Sequence, residues 1–317
     1  MSTPAHRRVP PAPPLAAIVG ATASGKSELA MAIAARLPVE ILVADSRQLY
    51  RGMDIGTAKP TAADRRAVAH HLLDLADPDG AFTLADWLRS ARELVPAIWS
   101  RGRLPLLVGG TGLYISALVD GYRLAAQPPS AELRRELTEE VERAGLAPLA
   151  QRLAALDPAT ASRTDLRNPR RVLRALEQVI IGGHPLTQPG GEPWPGRLAL
   201  IGVERPRGVL DQRISDRAEA MFAGGLVDEG ARLRDAGYDP ELPPLTGHGY
   251  REVFKVLAGE WTMTRAMAET VRRTRQYAKR QLTWFRRDRR IVWLPAGDGP
   301  TSALADRVTD LLQRLTA

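Results

Sequence analysis

The sequence of 317 residues contains no cysteine. That excludes disulfides and every thiolate metal site. Histidine is scarce: there are five, scattered, with no pair at zinc-ligand spacing beside a general base. No apolar run approaches the roughly 20 residues that a membrane-spanning helix needs, so no membrane partner is expected. Residues 1–14 are Pro-rich and carry Arg7 and Arg8 but no apolar core, so they are not a secretory signal. They read as a disordered leader, and the expected compartment is the cytoplasm. The length allows one or two domains with a real core.

What the chain does have is a strand–loop–helix phosphate motif. The apolar run Leu15–Val19 reads as a buried strand and Glu28–Leu37 as a helix. Between them stand Gly20, Ala21, Thr22, Ala23, Ser24, Gly25, Lys26 and Ser27, the G-x-x-x-x-G-K-[ST] pattern of a P-loop. The glycines let backbone N–H groups turn toward an anion, and the helix start adds partial positive charge. Lys26 is placed to neutralise phosphate oxygens, and the Ser27 hydroxyl to ligate a phosphate-bound Mg²⁺. The motif names a phosphate without saying whose.

Charge is the second clue. Lys and Arg total 44 against 36 Asp and Glu, a net +8, and the basic set is mostly arginine, which suits polyanionic partners. Between Thr270 and Arg290 there are nine basic residues and one acid, Asp288. Val271, Ala278, Leu282 and Phe285 make a narrow apolar stripe at helical spacing. Tyr277 and Trp284 interleave with the charges, as stacking residues do at nucleic-acid surfaces. A solvated Arg-rich surface helix is the other reading.

The predicted organisation is α/β: a P-loop doubly wound parallel sheet core with an inserted all-helical domain. Strands are expected at Leu15–Val19, Val39–Ala44 and Leu104–Val108, and helices at Glu28–Leu37, Ala62–Leu73 and Leu84–Ser100. The breaker Gln127-Pro-Pro-Ser130 introduces a helical segment, Ala131–Gly182, with a good N-cap at Ser130. After the Gly/Pro-rich loop Pro189–Gly196, Leu198–Val203 reads as a return to the sheet. The expected core is therefore 15–124 with 197–317, and the insertion 125–196. Further helices are read at Leu210–Gly224, Leu226–Ala236, Tyr250–Leu257 and Thr264–Arg287, with a last strand at Ile291–Leu294.

A nucleotide hydrolase carries a Mg²⁺-holding Asp at the end of an apolar strand. Here Leu104–Val108 runs into Gly109-Gly110-Thr111, which suits close approach of substrate rather than a metal clamp. The strand Val39–Ala44 runs instead into Asp45-Ser46-Arg47-Gln48. In open α/β sheets such strand ends line the ligand crevice. Asp45 is thus placed near the phosphate, as a metal ligand or a general base; a loop carboxylate capping the next turn is the alternative.

Five ordered blocks carry a resemblance: Gly20–Ser27, Asp45–Pro60, Leu106–Tyr114, Asn168–Glu177 and Thr274–Arg286. Across about Leu15 to Leu294 the chain resembles the bacterial tRNA dimethylallyltransferases. The resemblance implies transfer of a dimethylallyl group from dimethylallyl diphosphate to N6 of the adenine 3′ to the anticodon. Its implied partners are dimethylallyl diphosphate and the tRNA anticodon stem-loop, with Mg²⁺ as cofactor and the protein acting as a monomer. The P-loop then holds the departing diphosphate. The family pattern makes Asp45 the acceptor of the amine proton and Thr111 an orienting group. It places tRNA contacts at Asp45, Ser46, Arg47 and Gln48; at Arg134; at Asn168, Pro169, Arg170, Arg171 and Val172; at Gly249, Tyr250 and Arg251; and at Thr274, Arg275, Gln276, Tyr277, Ala278, Lys279, Arg280 and Gln281.

Arg213 and Arg217, one helical turn apart, are candidates to reach the diphosphate; the alternative is that they face solvent beside Asp211 and Asp216. The chain departs from the family at Ala21, Ser27, Thr246 and His248. His248 is read as packing or a loop hydrogen bond, and His70 and His71 as helix-end packing. Two other classes stay open, a small-molecule P-loop kinase and a non-catalytic RNA-binding protein.

Overall fold

A computed structural model describes residues 12–123, 130–182, 188–189 and 191–316. Most of the expected leader, residues 127–129 of the Pro breaker and residue 190 of the Gly/Pro loop lie outside the described residues. The chain divides into two compact units, one of residues up to Val119 and from Trp194 onward, the other Asp120–Pro193.

The first unit opens with β1 (Leu15–Gly20), α1 (Lys26–Ala34), β2 (Val39–Ala44), α2 (Ala62–Ala67), β3 (His70–His71), α3 (Leu84–Ser100), β4 (Leu104–Gly109) and α4 (Gly112–Val119). The second unit holds β5 (Tyr122–Arg123), α5 (Ala131–Ala144), α6 (Leu146–Leu156), α7 (Pro158–Arg163), α8 (Pro169–Ile181) and β6 (Gln188–Pro189). The chain then returns through β7 (Leu198–Glu204), α9 (Arg207–Ala223), α10 (Leu226–Asp235), α11 (Tyr250–Leu257), α12 (Met263–Phe285), β8 (Ile291–Pro295), a 3-10 turn (Thr301–Leu304) and α13 (Ala305–Thr316).

Among the described residues, six strands of the first unit form one sheet in the order β3-β2-β4-β1-β7-β8, every pair parallel. Strands β1, β2 and β4 are buried along their whole length, which is why they read as unbroken apolar runs. Ile18 pairs with Val108 on one side and Ile201 on the other. Because β4 lies between β1 and β2, the Gly109–Thr111 turn stands between the P-loop and Asp45. All three strand ends open at the carboxyl edge of the sheet, where ligands bind in this architecture. Ile18, Leu29, Ile33, Val43, Leu106 and Val203 form the core beneath α1, closed from the same side by Val308 and Leu312 of α13.

Three features correct the sequence reading. The helix expected over Ala62–Leu73 ends at Ala67, because Val68 is extended, at φ −147°. His70 and His71 are then not helix-end residues but an edge strand, paired with Ile41 and Leu42. His71 Nε2 lies 2.7 Å from the Glu40 carboxylate, which Arg101 also grips at 2.7 Å. Helices α4 and α13 are additions that the sequence reading lacked.

The second unit packs α5 to α8 around Leu137, Leu149, Leu153, Val172 and Leu176. Helices α5 and α7 start where polar caps meet orphan N–H groups: Ser130 Oγ accepts from Leu133 at 3.2 Å and Asp157 from Thr160 at 2.9 Å. Gly182, left-handed at φ 82°, ends α8.

Candidate active site

The P-loop curls because Gly25 is left-handed, at φ 98°, and α1 begins there without a side-chain cap. No other residue fits: a Cβ on Gly25 would stand 1.8 Å from Thr301 Oγ1. The first-turn N–H groups of α1 are therefore left for an anion. Lys26 Nζ donates to the Ala21 carbonyl at 2.6 Å. Burial and the neighbouring Arg217 charge lower the Lys26 pKa to about 7, partly offset by Asp45. This is a site with surplus positive charge.

Helix α9 turns two arginines toward the loop. Arg213 Nε donates to the Ala23 carbonyl at 3.0 Å and lies 3.6 Å from Glu28. Arg217 reaches Thr22 Oγ1 at 3.4 Å and the Thr57 carbonyl at 3.5 Å. The solvent-facing alternative is thereby set aside: Asp211 lies near Arg207 and Arg275, and Asp216 accepts from Gln212. Behind the loop, buried Arg205 donates to the Ser24 carbonyl at 2.9 Å, to the carbonyls of Gly297 and Gly299, and to Thr301 Oγ1 at 2.6 Å.

Asp45 stands at the end of β2, half-buried, and its Oδ1 accepts the Arg47 N–H at 2.9 Å. Its charge acts on Lys26, Arg47, Arg217 and Tyr277, which places one carboxylate within a ring of cations and phenol. Thr111 Oγ1 accepts the Ser46 N–H at 3.0 Å, and the Thr111 N–H donates to the Ala44 carbonyl at 3.1 Å. Thr111 thus ties the end of β4 to the Asp45 turn. Arg47 donates to the Pro244 carbonyl, and Gln48 to the carbonyls of Thr57 and Ala58 at 3.0 and 3.2 Å.

Helix α12 covers these strand ends. Its inner face includes Ala278, Gln281 and Phe285, all buried; Arg272, Arg275, Gln276, Lys279 and Arg280 are exposed on the outer face. Gln281 Oε1 accepts the Thr22 N–H at 2.8 Å, and its Nε2 donates to the Gly110 carbonyl at 2.9 Å. A Cβ on Gly110 would lie 2.1 Å from that nitrogen, and one on Gly112 2.2 Å from Trp284 Cδ1. Of the two glycines read as a close-approach surface for substrate, Gly110 gives its room to α12, and Gly109 gives its room to the Ala44 carbonyl, 2.0 Å from where a Cβ would stand. Burial and the Asp45 charge raise the Tyr277 pKa to about 12. His248 packs on Tyr277 with ring centroids 5.0 Å apart. Burial, then Arg47 and Arg280, lower its pKa to about 4, so it is neutral near pH 7 and packs against the Tyr277 ring.

The sequence profile of the IPP transferase family matches residues 48–288, and that of the isopentenyl transferases residues 13–77. The tRNA dimethylallyltransferase of Moorella thermoacetica is 44% identical over 312 residues, covering 95% of both chains. That of Streptomyces griseus is 43% identical, covering 96% of this chain and 97% of the relative. The chain belongs to the IPP transferase family. A crystal structure of the family, the full-length tRNA isopentenylpyrophosphate transferase of Bacillus halodurans, superposes with a TM-score of 0.71 at 39% identity, covering 95% of this chain and 96% of that one.

Within this family frame, not every residue assigned to RNA is free to touch it. Val172 is wholly buried in the core of the second unit, Ala278 packs against α9 residues, and Tyr250 is 1% exposed with its hydroxyl on Glu229 at 2.5 Å. The side chains of these three serve packing, because an RNA cannot reach a closed core. Asn168 caps α8 through the Arg171 N–H at 3.4 Å, with Pro169, Arg170 and Arg171 exposed. Gly249 is buried, and Arg251 and Thr274 are accessible. Arg134 forms an ion pair with Glu177, a carboxylate with no exposure that also pairs with Arg174 at 2.8 Å.

For a metal, no group of three His, Asp or Glu among the described residues could serve as a cage. Mg²⁺ bound with a phosphate takes most of its shell from phosphate oxygens and water. The exposed Ser27 hydroxyl at the start of α1 suits that sparse donor set.

Sequence reasoning left three groups without a role. Arg205 resembles any arginine after a strand until its four acceptors are seen. Buried Lys59 pairs with Asp54 at 2.8 Å and Asp74 at 2.6 Å. Glu229 accepts the N–H groups of Asp54, Ile55 and Gly56 at 3.0, 2.8 and 3.1 Å. The only signal was the Asp45–Pro60 block itself.

Proposed function

We propose that the protein transfers a dimethylallyl group from dimethylallyl diphosphate to N6 of the adenine 3′ to the anticodon of tRNA. The observation that carries this reading is the Asp45 carboxylate, set against Lys26 and Arg217 at the mouth of an uncapped P-loop. Family membership and the names of the relatives support it.

In the reaction the C1–O bond of the allylic diphosphate breaks and the N6–C1 bond forms. Negative charge grows on the departing diphosphate, so N–H groups, Lys26, Arg213 and Arg217 that are already aimed at the loop stabilise the transition state without reorganising. The adenine amine is a weak nucleophile, its lone pair being delocalised into the ring. Asp45 accepts the N6 proton as the bond forms, and Thr111 orients the reacting groups. Ser27 and the phosphate oxygens would hold Mg²⁺, which would supply further charge neutralisation. The target base must leave its stack to react. Asp45–Gln48, Arg251 and the outer face of α12 in the first unit, and Arg134 and Asn168–Arg171 in the second, are the RNA contacts of this reading. Acting as a monomer in the cytoplasm completes it.

Incubation with dimethylallyl diphosphate, Mg²⁺ and unmodified tRNA, followed by nucleoside mass spectrometry, tests the proposal. N6-prenylated adenine is expected. Folded protein that gives no such product overturns it, and transfer of labelled phosphate from ATP to a small molecule would establish the kinase reading instead.

A further inference from the structure

The family resemblance counts Gln281 among the RNA-contacting residues of α12, yet its side chain is turned inward onto the strand ends. It is 5% exposed, and both ends of its amide are engaged. The oxygen accepts from Thr22 N–H at 2.8 Å and the nitrogen donates to Gly110 O at 2.9 Å. Because one partner is a fixed donor and the other a fixed acceptor, only a side chain with both functions at this length satisfies them. Thr22 lies in the anion loop. Gly110 precedes Thr111, which holds the Ser46 N–H beside Asp45.

We infer that Gln281 is a positioning residue of the donor half of the reaction: it fixes the diphosphate loop in register with the Thr111–Asp45 edge, and it does not bind RNA. The absence of a Cβ at Gly110 is the other half of the device, since one would occupy the place of the Gln281 amide nitrogen. Tyr277, one turn earlier on the same helix, lies within hydrogen-bonding reach of Gln281 and Thr111. A row of α12 side chains thus aligns two strand ends. Losing these two hydrogen bonds leaves the Thr22 N–H and Gly110 carbonyl without partners and frees the loop to shift.

This inference rests on the reading of the P-loop as the diphosphate site. The test measures Gln281→Ala and Gln281→Met, with Gly110→Ala as a second way of displacing the amide while Gln281 remains. Each is assayed for KM of dimethylallyl diphosphate, Kd of inorganic diphosphate, and Kd of tRNA with its salt dependence. A rise of about tenfold in the first two is expected, as two hydrogen bonds allow, with tRNA affinity and salt slope unchanged. The double variant Gly110→Ala/Gln281→Ala should lose no more than the worse single one, because both act through one contact. Weakened tRNA binding with unchanged diphosphate affinity would overturn the inference and make Gln281 an RNA contact. If the unaltered protein fails to bind diphosphate at all, it is the reading of the P-loop that falls.

Discussion

Lys26 folds its ammonium back onto the Ala21 carbonyl, 2.6 Å away, in a pocket where burial and Arg217 hold its pKa down to about 7. An arriving diphosphate reverses that balance, because its charge favours the protonated amine. Free protein above pH 7 must therefore take up a proton to bind. Below pH 7 the amine is already charged and its contribution is complete; above it, affinity falls by up to tenfold per pH unit. Titrating inorganic diphosphate from pH 6 to 9 should show this fall in the unaltered protein and not in Lys26→Met, which shares the titration of the ligand itself. Parallel curves for the two proteins would deny Lys26 the role.

Asp45 is a carboxylate set among the cations of the mouth, and its Oδ1 is held by the Arg47 N–H at 2.9 Å. Asp45→Asn keeps the size of the side chain but cannot accept a proton. Single-turnover rates should fall by about 10²- to 10⁴-fold, the usual worth of a general base. Filter binding should show tRNA affinity nearly intact. A comparable loss of tRNA binding would make Asp45 an RNA ligand first.

Much of this arrangement was legible in the sequence where local pattern and tertiary context agree. Val39–Ala44, Leu84–Ser100 and Tyr250–Leu257 are read to the residue, because apolar periodicity and breakers coincide there. Helix α4 is invisible because Gly109, Gly110 and Gly112 announce a loop; Gly109 gives its room to the Ala44 backbone of β2, and the room that Gly110 and Gly112 leave for Gln281 and Trp284 matters only once α12 is folded over them. Helix α13 was readable, since Val308, Leu311, Leu312 and Leu315 keep helical spacing. The Glu229 and Arg205 contacts were not, because each joins a charged side chain to backbone groups far away in the chain. Hydrogen bonds to backbone leave no signature in residue type.

Glu229 shows what such contacts hold together. Its carboxylate closes the turn at Asp54, Ile55 and Gly56 and takes the Tyr250 hydroxyl at 2.5 Å. Glu229→Ala strands three N–H groups at about 1–3 kcal/mol each where they stay dry, so a loss of roughly 3–5 kcal/mol in urea unfolding is expected. Tyr250→Phe removes only one donor and should cost about 1–2 kcal/mol. Equal costs would mean that the bond from the Tyr250 hydroxyl, and not the three backbone N–H groups, is what Glu229 contributes.

His248 sits on Tyr277 among Arg47, Arg280, Arg217 and Arg273, with its pKa lowered to about 4. It is uncharged throughout pH 6–8. His248→Phe should keep the shape of the kcat/KM profile over that range. If a basic-side or acid-side limb disappears in the variant, the imidazole takes part in proton transfer after all.

Arg275 and Lys279 stand one turn apart on the outer face of α12, yet they are not equivalent. Arg275 donates to Ser215 Oγ at 3.1 Å and the Asp211 carbonyl at 3.3 Å, with the Asp211 carboxylate 3.7 Å away. That guanidinium pins α12 to α9, and its charge is already partly answered by Asp211. Lys279 is exposed on the same face and can give its full charge to a phosphate. Each phosphate neutralised adds about 0.7–0.9 to the slope of log K against log salt. Lys279→Ala should therefore lower the slope for tRNA binding by nearly one. Arg275→Ala should change it by clearly less and instead weaken the α9–α12 contact, seen as a lower unfolding midpoint. Equal slope changes for both would show that Arg275 leaves Asp211 for the RNA. No change for either would return this face of α12 to the role of a solvated helix.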